Sequence, residues 1–280
     1  MIANTTDFHK NKDAGAYEDF KGSDKYLLVR LTQVIQSVRE AYDRYNFMEV
    51  YRTIFNFLTN DMSAFYLDFA KDIVYIETAN STDRRRMQTV MYEILVKLTK
   101  LLVPIVPHTS EEIWTYLEQE EEAYAYLTEM PSADVIPDAA EILDFWSAFL
   151  EFRTGVHKAL EMARDEKVIG KSLEASVMVY PDEAVKVLLA SVAETEDVAT
   201  LLIVSELIVS DQAAPEDAVK VGDTAITVNH AVGGVCQRCR RIDESVGTNA
   251  NAHLVELCEH CASIVTLEFP EAAAEGFESK

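Results

Sequence analysis

Four cysteines constrain the fold of this chain more than any other feature of its sequence. They form two pairs, Cys236-Gln-Arg-Cys239 and Cys258-Glu-His-Cys261, and the 280 residues contain no other cysteine. Each pair can turn its sulfur atoms toward a common point, and the eighteen residues between the pairs are enough to loop back and complete a tetrahedron. The spacing therefore predicts one bound Zn²⁺.

Four thiolate ligands close the coordination sphere, whereas a catalytic zinc keeps one position for water or substrate. The predicted zinc is therefore structural, and a zinc enzyme is disfavoured. Two disulfides in a secreted domain are an alternative, but residues 1–7 are polar and acidic, unlike a signal peptide. His253 or His260 could replace one cysteine, although four sulfur atoms already satisfy the metal.

The charge of the chain limits its partners. Its formal net charge is −23, which disfavours indiscriminate nucleic-acid binding, because phosphate contacts need a local excess of Lys and Arg. No apolar run approaches the roughly 20 residues that span a bilayer, so we expect a cytoplasmic protein without a membrane partner. Three local basic clusters are the candidate phosphate contacts: the arginines Arg84, Arg85 and Arg86, the pair Lys97 and Lys100, and the arginines Arg238, Arg240 and Arg241.

Hydrophobic periodicity predicts a mainly α fold, in which a helical bundle is followed by a small α+β domain and a C-terminal four-cysteine zinc knuckle. Apolar residues recur every three or four positions over 25–72, with a break at 45–47. A third helix is predicted from Thr82 to just before Pro104, and a capping box at Thr109 and Glu112 is expected to begin a shorter one.

The second half of the chain changes in pattern. We predict a long helix over 139–166 and a shorter one over 182–192. Strands are predicted at 173–180, 201–209 and 224–228. The predicted domains are a helical bundle over 1–138, a long helix with a small α+β junction domain over 139–229, a zinc-binding module over 230–265 and a disordered tail over 266–280.

No catalytic residues are predicted. The segment Ile169-Gly170-Lys171-Ser172 resembles the end of a phosphate-binding loop, but Asp165 stands where the earlier glycine is needed, and its carboxylate would repel phosphate. The histidines are scattered, and none accompanies a serine in a glycine-rich turn. The simpler interpretation of Gly170 is that it forms a turn between a helix and a strand and binds no ligand.

Three segments carry a family resemblance: 45–47, 63–75 and 101–114, the last of which contains Pro107-His108-Thr109-Ser110-Glu111-Glu112-Ile113-Trp114. Together they resemble the anticodon-binding helical domain of class I aminoacyl-tRNA synthetases. The Phe-Tyr-Leu-Asp stretch at 65–68, the turn at 169–175 and the four cysteines, in this order, are most similar to the bacterial isoleucyl-tRNA synthetases.

The resemblance implies that the parent enzyme charges tRNA(Ile) with isoleucine at the expense of ATP, and that this portion binds the anticodon stem-loop as part of a monomer. The family's signatures His-Ile-Gly-His and Lys-Met-Ser-Lys-Ser do not occur here. We therefore expect a C-terminal fragment without catalytic activity. ATP would be bound only by the missing catalytic domain, upstream in the same chain.

Unpaired loop bases are usually read by stacking on aromatic rings while basic side chains hold the backbone. The six arginines named above are candidates for the backbone role, with surface ion pairing as the alternative. Tyr45, at the helix break, is the candidate for stacking, whereas Phe47 is expected in the core. A competing hypothesis, favoured by the net charge of −23, is a zinc-containing helical protein-interaction module without RNA binding.

Overall fold

A computed structural model describes residues 1–117 and 120–276. The chain forms two compact units. The first contains residues 1–74 and 80–143, and the second contains residues 75–79 together with the chain from Asp144 onward. No helix within the described ranges is long and apolar enough to cross a membrane. The predicted division into a bundle, a junction domain, a zinc module and a tail stays a prediction.

The first unit is helical. Its α-helices are α1 (Lys10–Asp13), α2 (Gly22–Asp43), α3 (Phe47–Asn56), α4 (Leu67–Val74), α5 (Thr82–Leu102) and α6 (Pro107–Thr115), and a π-helical segment, Phe57–Tyr66, joins α3 to α4. The predicted break at 45–47 and the predicted start of α5 at Thr82 are confirmed. The core consists of the apolar faces of α2 and α5 with the aromatic rings of the π-helical segment and α4: Phe57, Phe65, Tyr66 and Phe69 are at most 2% exposed.

The predicted capping box at the start of α6 is wrong. The helix begins at Pro107, with Val106 as its N-cap and without a side-chain capping bond. Proline suits the first helical position, because its fixed φ matches the helix and its missing N–H would have no helical partner there. The neighbouring Glu111 carboxylate instead accepts hydrogen bonds from the backbone N–H groups of Ala125 and Tyr126, at 3.1 and 2.9 Å.

The second unit contains a small mixed sheet. The long helix α7 (Ala139–Asp165) leads into it and confirms the prediction over 139–166. The following elements are β1 (Ala175–Tyr180), α8 (Glu183–Ala193), α9 (Val198–Leu202), β2 (Glu206–Val209), β3 (Val219–Val221) and β4 (Thr224–His230). The strand order is β2-β1-β4-β3, and β1 is parallel to β2 but antiparallel to β4.

The strand predicted over 201–209 is correct only in its second half. Residues 201 and 202 belong to α9, whose N-cap Asp197 accepts a hydrogen bond from the N–H of Ala199 at 3.0 Å. Ile203 then adopts a left-handed conformation with φ of 59°, which ends the helix before β2. A short apolar run does not by itself distinguish a strand from a short helix.

Gly155 allows α7 to approach β3 closely. A methyl group at this glycine would lie 2.3 Å from the Cγ1 atom of Val221 and 3.0 Å from its Cβ atom. Gly155→Ala is therefore expected to lower the free energy of unfolding by about 1–3 kcal/mol through overpacking, as measured by urea denaturation. The double variant Gly155→Ala/Val221→Ala should recover part of that loss, and an unaltered midpoint in the single variant would contradict this packing.

The C-terminal part of the second unit is built from short elements. They are the hairpin β5 (Gly234–Val235) and β6 (Ile242–Asp243), followed by α10 (Glu259–Glu268) and α11 (Pro270–Glu275). Residues 266–268 and 270–275 are thus helical, where the sequence predicts a disordered tail. The reason is a specific attachment: Ala273 is buried, and its carbonyl accepts a hydrogen bond from the Asn251 side chain at 2.7 Å. The last four residues of the predicted tail lie outside the described residues.

Candidate metal centre and nucleic-acid interface

The four cysteines converge within the second unit. Cys236 directly follows β5, and Cys239 lies in the turn before β6. Cys258 is the N-cap of α10 and Cys261 lies in its first turn. All four sulfur atoms are within 4.8 Å of one another, and the Cys239 and Cys258 sulfurs are 3.9 Å apart. The hairpin and the helix start thus bring together the two pairs that the sequence separates.

The geometry fits a tetrahedral metal rather than disulfides. All four cysteines are free thiols. Zn–S bonds of about 2.3 Å in a regular tetrahedron place the sulfur atoms about 3.8 Å apart, close to the 3.9 Å between Cys239 and Cys258, whereas a disulfide needs about 2 Å. His253 and His260 are absent from the cluster of potential ligands. The His260 Nε2 atom instead lies 2.8 Å from the Glu77 carboxylate.

The electrostatics of the cluster also favour a cation. Hydrogen bonds from the Cys239, Cys258 and Cys261 thiols lower the pKa of Cys236 far below its ordinary value. The pKa of Cys239 is raised, first by its interaction with Cys236, because a second thiolate beside the first is unfavourable. Four thiolates can therefore coexist here only when a positive charge lies among them. The residues present fit a divalent metal with a preference for sulfur ligands.

Apolar packing encloses the sulfur atoms. Cys236 and Cys261 are fully buried, and the surrounding buried cluster contains Leu254, Leu257, Ala262, Val265 and Ala273. The backbone N–H of Cys258 donates to the Cys236 sulfur at 3.3 Å, which stabilises negative charge on that atom. Three of the four cysteines are thus buried and Cys239 is half-buried, which is the enclosed setting of structural metal sites.

The three arginines beside the cysteines have different surroundings. Arg238 donates to the Ile76 carbonyl at 2.6 Å and lies 3.8 Å from the Cys261 sulfur. Its charge therefore partly compensates the thiolates. Arg241 contacts Asp197 at 3.3 Å and the Thr200 hydroxyl at 2.5 Å.

Arg240, by contrast, is exposed and contacts only the neutral side chain of Gln237, at 2.7 Å. It has no carboxylate partner within the described parts of the chain. Among the three arginines of the cysteine-rich segment, Arg240 is the one whose guanidinium faces solvent without a charge partner.

The arginines at the start of α5 are largely occupied within the first unit. Arg84 forms an ion pair with Asp7 at 2.6 Å, and Arg85 contacts the same carboxylate at 3.4 Å. Burial opposes ionisation of Asp7, but hydrogen bonds from Arg84 and Gln88 hold its pKa below the ordinary value. Because of these contacts, fewer N–H groups of Arg84 and Arg85 are available to a phosphate than the sequence suggests.

Arg86 is the arginine whose surroundings differ most from the RNA contact that the sequence predicts. Its side chain is 2% exposed and forms an ion pair with Asp24, which is fully buried. The other oxygen of Asp24 accepts a hydrogen bond from the Tyr66 hydroxyl at 2.6 Å. The guanidinium therefore belongs to a polar network inside the bundle, because a buried carboxylate requires a partner charge.

Tyr45 lies at the helix break, as predicted, and its side chain is 81% exposed. Its φ of 56° places it in the left-handed region between α2 and α3, so that its ring is presented to solvent. The expectation that Phe47 is a core residue is wrong, because 52% of it is exposed. Tyr51 and Phe55, which the sequence did not single out, are also exposed and lie off the buried positions Val50 and Ile54 of α3.

Residues 24–179 match the family model described as the anticodon-binding domain of tRNA ligase. The chain belongs to this family. The match begins inside α2 and ends in β1, and it includes the exposed face of α3 and all of α5. The comparisons give no support to the alternative of a protein-interaction module.

Curated relatives give a more specific likeness. The chain is 57% identical over 281 residues to the isoleucine-tRNA ligase of Lactococcus lactis subsp. lactis (strain IL1403). This match covers 99% of the chain and 30% of the relative. It is 54% identical to the isoleucine-tRNA ligase of Streptococcus sanguinis (strain SK36), and that match covers 100% of the chain and 30% of the relative. The chain thus spans about 30% of the length of these relatives and corresponds to their C-terminal part.

Proposed function

We propose that the chain is the part of an isoleucine-tRNA ligase that binds the anticodon arm of tRNA(Ile). The observation that carries this proposal is the identity of 57% across 99% of the chain with a protein of that name. The remainder of such an enzyme would bind ATP, activate isoleucine and transfer it to the tRNA. This chain would contribute RNA binding and no catalytic residue. We infer a cytoplasmic location and a monomer, as for the enzyme as a whole.

We further propose that the metal is one structural Zn²⁺ bound by Cys236, Cys239, Cys258 and Cys261. Support comes from the sulfur-only donor set, the separation of 3.9 Å between two of the sulfurs and the burial of the cluster. The metal would hold the hairpin against α10 and would not take part in a reaction, since four thiolates leave no open position.

For the RNA contacts we propose Tyr45 as a stacking residue and Arg240 as a phosphate contact. Both side chains are exposed, and Arg240 has no charge partner among the residues that the structure describes. Arg84, Arg85, Arg238 and Arg241 would contribute less, because internal hydrogen bonds and ion pairs already hold their guanidinium groups. Arg86 would contribute through the stability of the bundle.

The test is a titration of fluorescently labelled tRNA(Ile) with the chain at several salt concentrations. We expect binding to be about tenfold tighter than to the same tRNA with a changed anticodon, because loop bases are read individually. The affinity should fall as salt rises, since phosphate contacts release counterions. Absence of binding even at low salt would contradict the proposed function.

Arg240→Gln provides the residue-level version of this experiment, with Arg164→Gln as a matched exposed control. Loss of one phosphate contact should reduce the slope of log affinity against log salt concentration by about 0.7–1. The control should leave that slope unchanged, since Arg164 donates to Ser172 at 2.8 Å outside the proposed interface. Equal slopes in the two variants would remove Arg240 from the RNA interface.

A further inference from the structure

Helix α3 exposes several large apolar side chains. Met48, Tyr51 and Phe55 are 59%, 56% and 49% exposed, and they follow one another at the spacing of a single helix face. Together with Arg52 they are named here the α3 outer face. The opposite face of the same helix packs into the bundle through Val50 and Ile54. The exposed residues are therefore not needed for the core of the first unit.

The two rings of this face form a stacked pair, called here the aromatic platform. The centroids of Tyr51 and Phe55 are 5.5 Å apart and their planes differ by 26°, which is a stacked arrangement. In a stacked pair the outer faces of the two rings stay open to a further planar group, and nucleic-acid bases stack on aromatic side chains in this way.

The charge on the α3 outer face differs from that of the chain as a whole. The chain carries −23, yet the exposed residue between the two rings is Arg52, which has no ion pair within the described residues. At the edge of the face, Glu49 is already neutralised by Arg44 at 3.2 Å. The α3 outer face therefore offers a phosphate group the positive charge of Arg52 beside the aromatic platform.

We propose that the α3 outer face stacks unpaired bases of an RNA loop on Tyr51 and Phe55 while Arg52 contacts the adjacent phosphate. This inference rests on the proposed function and assigns a further binding surface to it, beyond Tyr45. RNA is favoured over an apolar protein segment because the platform combines parallel rings with an unpaired guanidinium. An apolar protein segment carries no phosphate or carboxylate for the Arg52 guanidinium to contact.

The first test uses a hairpin RNA with the anticodon stem and loop of tRNA(Ile) and 2-aminopurine in the loop. Tyr51→Ala/Phe55→Ala should weaken binding about tenfold or more, since stacking of a single base on an aromatic ring is lost. The variant should also leave the 2-aminopurine fluorescence less quenched at saturation. Arg52→Gln should lower the salt slope by about 0.7.

The chain offers a matched control in Tyr124 and Tyr126. Their rings are also close, with centroids 5.7 Å apart and planes at 35°, and they are 52% and 60% exposed. Acidic residues at 120–122 precede them. Tyr124→Ala/Tyr126→Ala should keep the affinity within about twofold of the unsubstituted chain. Circular dichroism of both double variants should match the unsubstituted chain, because all four residues are exposed.

The outcomes separate this inference from the proposed function. If the unsubstituted chain prefers the native anticodon and Tyr51→Ala/Phe55→Ala binds equally well, the inference is overturned while the proposed function stands. The face would then belong to a protein contact. If the unsubstituted chain binds no RNA at low salt, both are overturned. The assignment is supported if affinity and 2-aminopurine quenching are lost in Tyr51→Ala/Phe55→Ala and kept in the control Tyr124→Ala/Tyr126→Ala.

Discussion

Replacing Cys236 with serine should abolish the binding of one zinc ion and unfold the segment from β5 to α11. Cys236 is fully buried, and its sulfur also accepts the N–H of Cys258 at 3.3 Å. Structural zinc contributes about 10–16 kcal/mol of apparent binding free energy in small zinc-dependent folds. That is as large as the whole stability of a typical domain, about 5–15 kcal/mol. The short hairpin and the two helices cannot replace such a contribution.

Zinc content by atomic spectrometry and hydrogen exchange by mass spectrometry would measure this effect. Amides of α10 and α11 should lose their protection in Cys236→Ser, whereas those of α2 and α5 should keep theirs, because the first unit has its own apolar core. His260→Ala is the matched control. This histidine lies inside the second cysteine pair but is not a potential ligand, so the variant should retain the metal.

A result of full zinc content and native protection in Cys236→Ser would contradict the four-cysteine site. Loss of protection throughout α2 and α5 would contradict the independence of the first core. The two parts of the experiment thus test separate statements, one about the ligands and one about the extent of the segment that the metal stabilises.

The convergence of the four cysteines could be predicted from sequence because its chemistry is local and specific. Two short pairs at a fixed separation provide all the ligands, and few other functions require that pattern. The long helices α5 and α7 could be predicted for a related reason, since their apolar period extends over many turns. Short elements lack such redundancy, which is why residues 201 and 202 were assigned to a strand although they end α9.

The arginines show what sequence reasoning could not provide. A cluster of positive charges indicates a possible phosphate site, but the partner of each guanidinium is fixed by the fold. Asp24, which pairs with Arg86, is separated from it by 62 positions. The exposure of α3 was missed for a similar reason: apolar residues on both faces of a helix do not reveal which face is covered.

Replacing Arg86 with methionine should destabilise the first unit by about 3–5 kcal/mol. Methionine preserves much of the volume but leaves the Asp24 carboxylate, which is fully buried, without its ion-pair partner. The carboxylate keeps its bond from Tyr66 at 2.6 Å and accepts the N–H of Lys21 at 3.0 Å. Neutral hydrogen bonds do not compensate a full buried charge, so the loss should approach the upper part of this range.

Urea denaturation of Arg86→Met and Arg84→Met would compare the loss of a buried ion pair with the loss of a partly exposed one, at two positions of the same helix. Arg84 pairs with Asp7, which is 43% exposed, and donates to the Val74 carbonyl at 2.9 Å. Its loss should cost about 1–2 kcal/mol, less than the loss of the buried pair. Adding Asp24→Asn to Arg86→Met should recover stability, because the unpaired charge is then removed. Weakened RNA binding by Arg86→Met without a loss of stability would instead return this arginine to the RNA interface. Burial of both partners favours the structural result, in which binding weakens only as far as the bundle unfolds.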